Sequence, residues 1–90
     1  MEPIYEALPP DVAAEVQQLS RLVYESREHR RAVLDAAGAG SAEELLERIV
    51  RAEVAEHPGY EHYLAARILG DTHDIARSLM AQALKEANAQ

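Results

Sequence analysis

The sequence predicts an all-α protein, a small helical bundle, and three observations carry that expectation. Apolar residues recur at three- and four-residue spacing along most of the chain, no stretch alternates with period two, and start and stop signals divide it into segments of helical length. The expected arrangement is a long N-terminal helix hairpinned with a second helix, then two shorter ones, completed by oligomerisation. One domain spans 1–90, with a lead-in at 1–8 and helices at 9–38, 41–57, 60–69 and 72–88.

The first helix begins at Pro9-Pro10-Asp11, where proline suits the first turn and Asp11 faces the positive end of the helix dipole. Val12, Val16, Leu19, Val23, Val33 and Ala37 form its apolar seam, which Ser26 and Arg30 interrupt. Gly38-Ala39-Gly40 ends it. Ser41-Ala42-Glu43-Glu44 is a capping box opening the second helix, whose stripe is Leu45, Leu46, Ile49 and Val50. Pro58-Gly59 is the expected break. Tyr60, Leu64 and Ile68 share one side of a third helix, which Gly70 ends. Asp71 or Thr72 caps a fourth, carrying Ile75, Ala76, Leu79, Met80, Ala83 and Leu84.

Composition narrows the function classes. The net charge of −7 lacks the basic footprint of a nucleic-acid binder, and the one basic cluster, Arg27, Arg30 and Arg31, is interleaved with Glu25 and Glu28 as a solvated helix face. No nucleic acid is therefore expected as a partner. Cysteine is absent, which excludes disulfides, thiolate metal sites and cysteine nucleophiles. The residues Met1-Glu2-Pro3-Ile4-Tyr5 do not resemble a signal peptide, and no run approaches the ~18 apolar residues of a membrane span. A cytoplasmic protein that contacts no membrane is the expectation.

Size and core argue for association. There is no Phe or Trp, so an Ala-rich core buries little area in a chain that is already short. A first helix of about 27 residues is about 40 Å long at 1.5 Å per residue. A compact domain of this length is only about 30 Å across. Such a helix frays, bends or lies along a partner, and its spacing favours the partner. Val16, Leu19, Val23 and Arg30 are the expected interface residues.

Chemistry, if present, is expected around Glu53-Val54-Ala55-Glu56-His57-Pro58-Gly59-Tyr60-Glu61-His62-Tyr63, which gathers carboxylates, imidazoles and phenols at one helix break. Continuing the second helix to His57 places Glu53 at the centre of its apolar stripe, with His57 one turn later. Burial raises a carboxyl pKa and suits acid–base work. A Glu and a His at i,i+4 can also present oxygen and nitrogen to one divalent transition metal. Glu53, His57, Glu56 and Glu61 are the candidate metal ligands. Two other readings of Glu53 stand beside this one. A hairpin turning about residues 39–40 places Arg30 within reach for an internal ion pair, and Glu53 can equally meet a partner chain.

Motifs do not assign an enzyme activity. Carboxylate-bridged di-iron bundles use Glu-x-x-His, whereas the offset from Glu53 to His57 is four. His-Glu-x-x-His, P-loop, dinucleotide and nucleophile-elbow patterns are absent. The first expectation is a self-associating helical protein acting through protein–protein contacts, as an accessory, regulatory or scaffold module. The alternative is a metal-binding helical-bundle protein, ferritin-like or redox, with a Glu/His site formed at the end of the second helix, within one chain or across subunits.

Overall fold

The computed structural model describes residues 8–89, which are all-α: helices α1 (Pro10–Ala36), α2 (Ala42–Val50) and α3 (Glu56–Asn88), with no strand among the described residues. The lead-in expected at 1–8 falls almost wholly outside the described residues. Regular helical geometry in α3 begins after His57, whose φ of −110° and ψ of 123° are extended.

α1 and α3 form a long antiparallel hairpin. Arg30 touches Gly70, Leu34 clusters with Ala66, and Val12 shares a groove with Ala83 and Ala87. In this register a residue of α1 faces the residue of α3 whose number makes a sum near 100. The molecule measures 54 × 21 × 19 Å, and its radius of gyration of 17.4 Å exceeds the ~12 Å of a compact chain this long.

This corrects the expected pairing of α1 with the second helix. α2 has nine residues and cannot run along α1; it caps one end of the hairpin. There Leu34, Ala39, Leu45 and Ala66 make a buried cluster, packed round by Val33, Ile49, Val54 and Tyr63. The partner along which the long first helix lies is thus in the same chain.

The helix boundaries differ for local reasons. α2 ends at Val50 rather than His57, eight residues before the Pro58 signal. Ala52 adopts φ 60°, Ala52 N–H donates to Ile49 O, and Glu53 N–H donates to Arg48 O at 2.8 Å. That is a Schellman motif with alanine in the left-handed position that glycine ordinarily takes. α1 ends by the same motif with the expected residue. Gly38 (φ 70°) donates to Asp35 O and Ala39 N–H to Leu34 O, and the side chains of Ala39 and Leu34 meet in the buried cluster. The anticipated break at Gly70 does not occur, so the third and fourth helices are one. A mid-helix glycine costs only about 1 kcal/mol, which tertiary packing readily offsets.

Ser41 caps α2: its Oγ accepts from Glu44 N–H at 3.1 Å. Glu44 reaches back to Gly40 N–H at 2.8 Å, one residue before the position a strict capping box uses. Arg48 ties Glu44 Oε1 and Gly38 O together at 2.8 Å each, so the α1–α2 connection is held by side chains at both ends.

Candidate interaction surface

The seam between α1 and α3 combines small and polar residues with the half-buried Leu69, Met80 and Leu84. Val16, Ala66 and Ala76 are its fully covered apolar members, and Ser26 and His73 are buried beside them. Ser26 Oγ donates to Leu22 O at 2.6 Å, the back-bond that lets a hydroxyl enter a helix interface. His73 Nδ1 lies 3.2 Å from Asp74 Oδ1. Among the described residues no buried side-chain polar atom lacks a partner. Small residues bring the two helices close, but they bury little apolar area.

The expected interface residues lie in this seam. Val16 is wholly covered, and Leu19, Val23 and Arg30 are partly covered. α3 of the same chain consumes the face they form, so it is not a free docking surface. Arg30 crosses Gly70, with Nη1 3.3 Å from where a Cβ would stand, and does not meet Glu53.

Glu53 is exposed. The apolar stripe that would turn it inward stops three residues earlier, because α2 does. Glu56 and His57 are exposed as well. His57 and Glu61 do come together, Nδ1 to Oε1 at 2.6 Å, as an exposed i,i+4 pair on the first turns of α3. The Glu61 carboxyl is held below its ordinary range, first by a backbone hydrogen bond and then by the His57 side chain and its charge. Among the described residues no three His, Asp or Glu side chains stand together as a metal-holding group.

What the structure does expose is the opposite face of α3. Tyr60, Leu64, Ile68, Ile75 and Leu79 are 47, 38, 63, 60 and 48% exposed. On a helix of 100° per residue their centre lies about 150° from that of Ala66, His73 and Ala76. α3 is therefore two-faced: Ala66, His73 and Ala76, with the half-buried Leu69, Met80 and Leu84, lie on the side of α1, and five large apolar residues lie on the side of water. Isolated exposed apolar residues are ordinary; these five line one side of about 30 Å of helix, with exposed Asp71 between Ile68 and Ile75.

The sequence carries the signal for this face, hidden by the division at Gly70. Tyr60, Leu64 and Ile68 already share one side of the expected third helix. Only when the helix runs through Gly70 do Ile75 and Leu79 join them, and only then does the Ala/Gly line appear as a separate face. In comparisons with known proteins, the chain matches no family model, no curated protein and no solved structure. No helix among the described residues is long and apolar enough to cross a membrane.

Proposed function

We propose that this chain is a small self-associating helical protein that acts through protein–protein contact, as an accessory, regulatory or scaffold module, and that the outer face of α3 is its contact surface. The observation that carries this reading is the outward row Tyr60, Leu64, Ile68, Ile75 and Leu79 on a helix whose inner face is already satisfied.

The shape supports it. Over most of their 54 Å the described residues are two helices thick, so among them each helix has one covered side and no second layer lies over most of α3. Covering the outer row would remove from water five of the eight large apolar side chains exposed among the described residues.

Sedimentation equilibrium tests the proposal. Wild type sediments as a dimer or larger species at micromolar concentration. Ile68→Asp and Ile75→Asp each shift it to monomer while retaining the helical circular dichroism signal, because both side chains are exposed in the single chain. A wild type that stays monomeric up to about 100 µM, an affinity weaker than about −5.5 kcal/mol, overturns it.

A further inference from the structure

We infer that the occupant of the outer α3 face is the α3 of a second copy, laid antiparallel across a two-fold axis between Asp71 and Thr72. The inference rests on the self-association reading and adds its geometry.

The row is a palindrome. Leu64, Ile68, Ile75 and Leu79 are separated by three, six and three residues, so the pattern reads Leu, Ile, Ile, Leu in both directions. A two-fold interface is isologous, so the same patch must be complementary to itself after reversal. Antiparallel pairing about the midpoint sets Ile68 against Ile75 of the second copy and Leu64 against its Leu79.

The polar residues obey the same symmetry. At the midpoint Asp71 and Thr72 flank the row on opposite sides, about 100° apart, so each lies across the axis from its own counterpart in the other copy. Beside the row, Arg67 and Asp74 lie on one flank of α3 about 20° apart at 100° per residue, and both are exposed. Reversal brings Arg67 of one copy to within one turn of Asp74 of the other, twice. A parallel two-fold pairing puts this flank of the two copies on opposite sides of the contact, so Arg67 and Asp74 do not meet. Exposed ion pairs contribute little stability, but these two form only in the antiparallel orientation and so bias the choice.

Area is adequate for a real contact. Covering the exposed parts of the five apolar side chains removes on the order of 500 Å² per protomer, about 1,000 Å² in the pair, which is the lower bound for a specific interface. His57 and Glu86 lie at equal distances from the axis, so the N-terminal turn of one α3 meets the C-terminal turn of the other. The two helix dipoles are then antiparallel.

The chain has no cysteine, which makes disulfide trapping direct. Ile68→Cys and Ile75→Cys proteins are mixed under mild oxidation, and each is also oxidised alone. The Ile68→Cys/Ile75→Cys heterodimer is expected to dominate at least tenfold over either homodimer. In parallel, Arg67→Asp weakens wild-type self-association about tenfold, and the double exchange Arg67→Asp/Asp74→Arg restores it. Preferential Ile68→Cys homodimers, or a double exchange no better than the single one, overturn the antiparallel geometry while self-association itself stands. A wild type that never associates overturns both. A wild type whose sedimentation shows association but which traps no disulfide at either position places the contact elsewhere and also overturns the inference.

Discussion

Arg30 lies across Gly70, and a Cβ at residue 70 would come 3.3 Å from Arg30 Nη1 and 3.7 Å from its Cδ. An arginine stem occupies the space where a side chain of α3 would otherwise stand, which allows a long polar residue into the seam. The close atom is the far end of a flexible side chain, so it can yield by a few tenths of an ångström. Gly70→Ala is therefore expected to stabilise the fold by about 0.5 kcal/mol, since the helix gains up to about 1 kcal/mol in propensity. Gly70→Leu expels Arg30 from the seam and destabilises by about 1–3 kcal/mol. Urea denaturation of the two variants separates these signs.

The two Schellman motifs make opposite predictions at matched positions. Gly38 has φ 70° and open space around its missing Cβ, so Gly38→Ala costs backbone strain of about 1–2 kcal/mol. Ala52 already bears that strain at φ 60°, so Ala52→Gly stabilises by up to about 1 kcal/mol. Thermal denaturation of both reads the difference, and a destabilised Ala52→Gly would show that the left-handed turn is not what ends α2.

Gly59 contrasts with Gly70. Its missing Cβ would stand 3.1 Å from Val54 Cγ1 and 3.4 Å from Ile49 Cγ1, both branched apolar side chains packed into the end cluster. These cannot swing away. Gly59→Ala is expected to destabilise by about 1 kcal/mol despite its better helix propensity. Leu45 anchors the same cluster at 0% exposure, and Leu45→Ala costs about 2–5 kcal/mol. Val50, 79% exposed on the same helix, changes stability by less than about 0.5 kcal/mol when replaced by alanine.

Glu61 gives the pH prediction. Its carboxyl is held below the ordinary range, so the folded state favours its ionised form. A lowered carboxyl contributes stability above the unfolded pKa of about 4.3 and loses it as pH falls through the folded value. Wild type should exceed Glu61→Gln in stability near neutrality, and the gap should close below about pH 4. Carboxyl NMR titration places Glu61 below the glutamate average, and His57→Ala moves it part of the way back.

Self-association makes stability depend on concentration. Thermal midpoints of wild type should rise between about 1 and 100 µM protein, because the associated state binds only folded chains. Ile75→Asp removes that dependence without altering the midpoint at the lowest concentration.

The apolar periodicity, Pro10, the Ser41 cap and Gly38 were enough to establish an all-α chain, the full extent of α1 and the start of α2, because caps and periodicity are encoded within a few residues of where they act. The end of α2 was not legible. Its left-handed residue is an alanine, and alanine is the strongest helix former. Continuing α2 through Ala52 is what turned Glu53 inward on paper; the actual turn leaves it in water.

The choice of partner for α1 was decided by tertiary structure alone. Gly38-Ala39-Gly40 announces a turn but does not say which later helix returns along α1, and a nine-residue α2 is too short to do so. Running α3 unbroken through Gly70 gives a helix of matching length. The packing of Ala66, Gly70 and Ala76 against α1 then turned Ile68 and Ile75 outward. Local sequence determines where helices start, because caps act over one turn; which face is covered depends on contacts between residues forty positions apart, and no local pattern contains those.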